Sequence, residues 1–518
     1  MNRPPGGSGW KGGGSHDRSG SSRREFLKWL AASGTGVALA GLLPGMAAAA
    51  EGEIVVISRV TLIDGTGSAP RRDVSVVLVG ERIAWVGGSE QLPETGAARV
   101  IDGRGKYLIP GLWDMHTHGA DLEEIVPPLH LVHGVTGARE MWGYAENRAS
   151  RDKIERGELL GPRMVLGSGI VDGPVTLLSP PVLQVSTDAE ARAAVRAEAA
   201  AGAEFVKVYS YLGPEALRAV ADETRDLGLR FSGHWPYKVS HFEVSDLGQH
   251  SFEHFFGVSI HCSSRRDEIL ARLSALPYDP AAPRAFFNVA RQLEFESVSA
   301  YSPHAAWNYF NRLRRNGTWH SPTLTINRVV TQPAETHKQD ARLKYLPADI
   351  RESWAVGIER FAPKTPADIA LQERYYQETL RLVGVAHDAG VGIIGGTDCL
   401  NPYTFPGSGL HEELGFLVEA GLSPVQALKA VTGDAAKFLG RERTSGTVAA
   451  GKEADLVLLD ANPAADIRNV AKIDLVITRG RVLDKTARRR MLDAVEVAAN
   501  RPVTSARLHS LARRGCCC

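Results

Sequence analysis

Cysteine is scarce in this 518-residue chain: there are five, and three of them stand at the extreme end as Cys516, Cys517 and Cys518. With only Cys262 and Cys399 left in the body, a disulfide framework is excluded and packing must hold the fold. Net charge is nearly absent too. The 60 Lys and Arg face 59 Asp and Glu, so no overall basic footprint for nucleic acid exists. A chain that is 43% hydrophobic and 23% charged is also too apolar for disorder. No uninterrupted apolar run is long enough for a good membrane span, since the stretch Trp29 to Met46 is broken by Ser33, Gly34, Gly36, Gly41, Pro44 and Gly45. The GxG patterns lack the strand, helix and acidic residue of a dinucleotide site, and no repeat of fixed period is visible.

The first feature present is a leader. Residues 1–21 are Gly/Ser-rich, then Ser22-Arg23-Arg24-Glu25-Phe26-Leu27-Lys28 runs into the apolar stretch and ends in Ala47-Ala48-Ala49-Ala50. A charged pair, a mildly apolar core and small residues at a cleavage site describe an export signal over residues 1–50, with an uncleaved anchor as the alternative. It resembles a twin-arginine signal and implies a periplasmic or secreted protein without a stable membrane span after cleavage. That route moves proteins that are already folded.

The body divides by period. From Glu53 to Ile109, short alternating runs (Ile54 to Ser58, Val74 to Val79, Ile83 to Val86) are broken by glycines, the pattern of a small antiparallel β domain. Matching runs return at Ala454 to Leu459 and Leu475 to Val482, so residues 51–109 and 439–486 are expected to form one β-sandwich. Between them, over 110–438, apolar runs alternate with helical patterns at Ala189 to Ala201, Pro214 to Leu227 and Pro424 to Ala430, which argues for parallel βαβ units. Eight candidate strands appear: Gly111 to His116, Gly134 to Met141, Met164 to Gly167, Phe205 to Tyr209, Arg230 to His234, Ser251 to His254, Thr318 to Thr323 and Val391 to Asp398. The expected fold is therefore α/β, a (β/α)8 TIM barrel with a small β-sandwich, followed by a C-terminal helix and tail over 487–518.

His116-Thr117-His118 follows the apolar run Leu108 to Trp113, and residues i and i+2 of a strand project to one face, so both imidazoles can reach one ion. A lone His-x-His is a weak signal. Its company is stronger: Lys207, His234, His254 and Asp398 each lie in, or at the C-terminal end of, a candidate barrel strand, where barrel active sites are built. Each has a bland alternative: a snorkelling lysine, satisfied core histidines, a helix-capping Asp.

His116-x-His118, Lys207 in Phe205-Val206-Lys207-Val208-Tyr209, His234 in Ser232-Gly233-His234, His254 in Ser251-Phe252-Glu253-His254 and Asp398 in Gly395-Gly396-Thr397-Asp398 resemble the amidohydrolase superfamily, binuclear metal type. The segments Gly409 to Leu414, Ala420 to Thr432, Gly446-Thr447-Val448 and Gly451 to Leu456 are similar to that family's last helix and its return into the sandwich. The resemblance covers about residues 53 to 485 and is nearest to imidazolonepropionase-like and prolidase-like members.

An ammonium cannot bind metal, because it has three donors and no acceptor, so Lys207 needs modification. The resemblance implies that Lys207 is carboxylated and bridges two divalent ions. The first takes His116, His118, the carbamate and Asp398; the second takes the carbamate, His234 and His254. Zinc suits imidazole and carboxylate-type oxygen, with manganese, cobalt or iron as alternatives. Water between two cations becomes a hydroxide nucleophile near neutral pH, and Asp398 is the expected base and acid. Tyr209, two residues beyond Lys207, is expected to face the same cavity and donate a hydrogen bond. His130, His133, His241, His250 and His320 are expected to be structural, His250 being the main rival of His254. Long connections at Pro280 to Arg315 and Asn327 to Glu378 suit lids, in which Trp307, Tyr309, Tyr345 and Trp354 line a pocket or, more blandly, form helix core. The run Arg488-Arg489-Arg490 is expected on a solvated face.

The implied protein is a metal-dependent hydrolase of C–N bonds in a small amide, peptide or cyclic amide. It has no nucleic-acid partner and is compatible with a homo-oligomer. Phosphotriester or lactone hydrolysis on the same site is the alternative, and a catalytically silent binding protein the alternative of another class.

Overall fold

A computed structural model of the chain describes residues 53–502. The leader at 1–50 and the Cys516 to Cys518 tail lie outside the described residues.

The alternating Val/Ile runs near the start become the strands Ile54–Leu62, Arg71–Val79 and Arg82–Gly88, paired antiparallel in succession. Tyr107–Pro110 joins the two ends of the chain. It pairs in parallel with Ile54–Leu62 through Thr61 and Leu62, and antiparallel with Leu456–Leu459 through Leu108 opposite Leu458. Ile473–Thr478 and Arg481–Leu483 extend the same sheet. Because successive strand side chains alternate between faces, Val55, Ile57, Val76, Leu108, Leu456 and Ile477 share one apolar cluster. Their neighbours Val56, Val77 and Trp85 fill another.

The second sheet is parallel. Leu112–Thr117, Val135–Glu140, Arg163–Asp172, Phe205–Val208, Phe231–Gly233, Ser251–Glu253 and Trp319–Ser321 are each hydrogen-bonded to the next. Seven of the eight expected barrel strands are thus regular, and the eighth is not. Val391 to Asp398 still bridges the gap. On one side His320 N–H donates to Gly392 O (2.9 Å) and Ile394 N–H to His320 O (3.0 Å); on the other, Met115 N–H donates to Gly395 O (3.0 Å) and Asp398 N–H to His116 O (2.8 Å). Gly396 explains the departure from a regular ladder. A Cβ there would lie 2.7 Å from His116 N and 2.8 Å from Ser321 Oγ, so the backbone approaches its neighbours where no side chain fits.

The expected helices appear as Asp188–Ala200, Pro214–Asp226 and Pro424–Ala430. The first is started by a capping box in which Thr187 and Glu190 satisfy each other's backbone donors. The long connections hold helices of their own. Pro283–Ser297 and Pro303–Asn316 precede Trp319–Ser321, and Leu324–Val330, Ala348–Ile358 and Pro366–Asp388 follow it. The last described helix, Lys485–Ala499, shows that the arginine run is not all solvated. Arg489 pairs with Asp493 at the surface, but Arg488 donates from Nε to Val132 O (2.9 Å) and from Nη1 to Ile473 O (2.8 Å), tying a barrel helix to the flanking sheet. No helix among the described residues is long and apolar enough to cross a membrane.

Candidate metal centre

The C-terminal ends of the parallel strands bring His116, His118, Lys207, His234, His254 and Asp398 into one cluster. All are buried except His118, which is partly exposed. Asp398 Oδ1 lies 3.0 Å from His118 Nε2 and 3.3 Å from His116 Nε2, and its Oδ2 lies 3.7 Å from His254 Nδ1. Ligand atoms of His116, His118 and Asp398 lie within 4.8 Å of one another. The His254 ring is 4.7 Å from that of His116 and 4.5 Å from that of His234, centre to centre. Lys207 is near enough for its ammonium to push the titration of His116, His234 and His254 downward, after burial itself.

The imidazoles are oriented from behind. His116 Nδ1 meets Glu253 Oε2, His234 Nδ1 meets Ser210 Oγ and His254 Nδ1 meets Thr323 Oγ1, each at 2.9 Å. His118 Nδ1 lies 3.4 Å from Glu140 Oε1. In His116, His234 and His254 the Nδ1 atom is engaged, so Nε2 is the ring nitrogen left for the cluster. In His234 and His254 it is buried with no hydrogen-bond partner among the described residues. A buried ring nitrogen without a partner is costly, and a neutral imidazole held at its far nitrogen is the form that binds a cation. Burial, ahead of the Lys207 charge, holds His116 and His234 well below their ordinary titration and His254 at about 4, so all three are neutral at pH 7. For Asp398, burial favours the acid form, yet the carboxyl lies below the usual range, His118 Nε2 at 3.0 Å from Oδ1 being among the groups that lower it. Neutral imidazoles, a carboxylate and buried nitrogens without partners fit a divalent cation.

The backbone is strained here. His254 (φ 64°), Thr323 (φ 46°) and Asp398 (φ 62°) occupy the left-handed region, which costs about 1–3 kcal/mol for each side-chain-bearing residue. Surrounding contacts enforce it. Asp114 Oδ1 accepts from His116 N (3.2 Å) and Thr397 N (3.0 Å), and its Oδ2 from Thr397 Oγ1 (2.6 Å), so one buried carboxyl clamps the segments that carry His116 and Asp398.

Sequence reasoning missed these supports. The most consequential is Glu253, which touches His116 and receives Arg139 Nη2 on both oxygens at 2.9 Å, with Ser251 Oγ donating at 2.5 Å. A readable signal existed in Arg139-Glu140, two charges ending the otherwise uncharged strand Val135–Glu140. Tyr209 is buried against His234, ring centres 4.0 Å apart. His250 stands at the opposite end of its strand from His254, stacked on Phe438 at 4.0 Å. His241, Tyr309 and His320 form a separate buried chain, with His241 Nδ1 2.6 Å from the Tyr309 hydroxyl. Trp354 donates to Leu400 O and is core, whereas Trp307 is 62% exposed. The cavity beside His254 is walled by other aromatics, Phe256, Phe287, Phe295 and Phe361.

The amidohydrolase family model matches residues 319–483. Imidazolonepropionase of Aromatoleum aromaticum is 29% identical over 425 residues, covering 80% of this chain and 92% of that protein. Among solved structures, a bottromycin amidohydrolase aligns with a TM-score of 0.68 at 22% identity, covering 86% of this chain and 90% of its own. A Xaa-Pro dipeptidase with bound methionine aligns at 0.60 and 21%, covering 83% of this chain and 100% of its own. At such identities the solved structures speak for the fold.

Proposed function

The chain belongs to the amidohydrolase superfamily, and from that premise we propose that it is a metal-dependent hydrolase that cleaves a C–N bond, amide, peptide or cyclic amide, in a small substrate. The observation that carries the reading is the convergence of three histidines, His116, His118 and His254, on the buried Asp398 carboxylate, with His234 packed against His254 and the Nδ1 atoms of His116, His234 and His254 turned to protein partners. His116, His118 and Asp398 would hold one divalent ion, His234 and His254 a second, and a carboxylated Lys207 both. When bound, such ions, with zinc best matched to this donor set, would supply activation of water and polarisation of a carbonyl.

The protein's own groups do the rest. Asp398 Oδ accepts a proton from the attacking water and returns it to the leaving nitrogen, since only a proton on nitrogen makes an amine a leaving group. Its carboxyl lies below the ordinary carboxylate range and is therefore ionised and ready to accept. The Tyr209 hydroxyl donates to the oxygen on which charge develops. Glu253, Ser210 and Thr323 fix the histidine rings, so little reorganisation remains for the reaction itself. The leader makes the enzyme a twin-arginine export substrate acting in the periplasm or outside the cell.

Lys207→Ala tests the bridge. The variant should lose metal and turnover, and short carboxylic acids should restore part of both by standing in for the carbamate. Full metal content and wild-type rate in Lys207→Ala would refute the assignment.

A further inference from the structure

Beside the histidine cluster, the helices Pro283–Ser297, Leu324–Val330 and Pro366–Asp388 enclose a cavity of about 240 Å³, with His254 in one wall. Its composition is lopsided. Two guanidinium groups, Arg291 and Arg360, line it, the other polar side chains besides His254 are carboxamides, and no carboxylate does.

Arg291 is held in place from the far side. Its Nη1 pairs with Glu294 and lies 3.4 Å from the Tyr375 hydroxyl, while its plane lies over Phe256, Phe295 and Tyr375 with centroid distances of 5.0, 5.3 and 4.9 Å. Glu294 is satisfied elsewhere as well: Oε1 accepts from Gly257 N (2.7 Å) and Oε2 from the Tyr375 hydroxyl (2.9 Å). Nε and Nη2 of Arg291 make no hydrogen bond among the described residues, so two edges of a fixed fork remain available to a planar anion. Arg360, exposed at the mouth, forms no ion pair among the described residues.

Distance links this fork to the chemistry. Phe256 touches both Arg291 and His254, at 5.0 and 5.3 Å, so the guanidinium carbon lies within about 10 Å of the His254 ring. One amino-acid residue of about 3.5 Å, with a hydrogen-bond length of about 2.8 Å at each end, spans that gap. The four phenylalanines offer a side chain of such a residue an apolar seat.

We infer that this cavity takes the carboxylate-bearing half of the substrate: an N-acylated amino acid or short peptide whose last residue has an aromatic or bulky apolar side chain, with Arg291 receiving the carboxylate and Arg360 drawing it in. The inference rests on the C–N hydrolase reading but is tested separately from it. Calorimetry with 3-phenylpropanoate and the uncharged 3-phenylpropanol reads the site without turnover; N-acetylphenylalanine and its carboxamide, on metal-loaded enzyme, read it with turnover. The wild-type protein should favour each acid by roughly 10- to 100-fold, the worth of a charge-assisted hydrogen bond. Arg360→Gln, at the surface, should lose a few-fold of that preference. Arg291→Gln with Glu294→Gln, which replaces the buried ion pair by a neutral one, should reduce it below about threefold on the same scale. Equal binding of acid and alcohol by the wild-type protein, or an acid preference unchanged in the double variant, would overturn the inference while leaving the hydrolase reading intact. Acid-selective binding lost in the double variant, with neither acetyl compound cleaved, would support the anion site and count against the hydrolase reading.

Discussion

Glu253→Gln removes one charge from a place the sequence did not mark. In the native protein both carboxylate oxygens accept from Arg139 Nη2 at 2.9 Å, Oε2 also meets His116 Nδ1, and Glu253 and Arg139 are fully buried. Gln keeps one acceptor oxygen and turns an NH2 group toward either Arg139 or His116, setting a donor against a donor. Arg139 retains Met115 O at 2.5 Å and Ser251 Oγ at 3.2 Å, so the loss should fall at the lower end of the range for a broken buried pair, about 3 kcal/mol of unfolding free energy. The His116 ring loses the partner that sets its tautomer, and metal affinity should fall about 10- to 100-fold. Burial pushes the Glu253 carboxyl up, but Arg139 and then His116 outweigh it and hold the group well below the ordinary carboxylate range. A depressed folded value contributes stability above the unfolded value and loses it as pH falls through the folded one. The gap between wild type and variant should therefore be complete at pH 7 and shrink in acid below the ordinary range. Urea unfolding at several pH values and chelator competition on the same samples measure both effects. A variant within 1 kcal/mol of wild type, with unchanged metal affinity, would refute the claim that Glu253 supports His116.

Asp398→Asn keeps size and one oxygen but cannot accept a proton at working pH, so kcat should fall about 10²- to 10⁴-fold at equal metal loading, and a loss below about threefold would remove Asp398 as the base. Glu413 is buried with Oε2 accepting from Thr325 N and Oγ1, and burial raises its carboxyl to about 8. A raised folded value gives stability that is complete below the ordinary value of 4.5 and lost as pH rises from there through about 8, so the urea midpoint of wild type should decline across that window and level off above it, and Glu413→Gln should flatten the decline. Arg23→Lys with Arg24→Lys should leave unprocessed precursor in the cytoplasm on fractionation, whereas normal cleavage and export would exclude the twin-arginine route.

The barrel was legible because its information is local. Apolar runs alternating with capped amphipathic helices need no tertiary contact to be read, and neither does the order His-x-His, Lys, His, His, Asp along the strand ends. The eighth strand was read as regular from Val391 to Asp398 because periodicity does not report how closely Gly396 approaches His116. The partner set of the histidines was also beyond the sequence, since Ser210, Thr323 and Glu253 act through distances that link 24, 69 and 137 positions along the chain. The same holds for the cavity. Trp307 and Trp354 were as eligible as Phe287 and Phe361 until the inserted helices chose which faces to bury. Residue type and period thus determined the elements and the candidate ligand positions, while only the tertiary structure decided which neutral nitrogens point inward and which buried charges hold them there, because desolvation and charge pairing depend on distances that exist only once the chain has closed on itself.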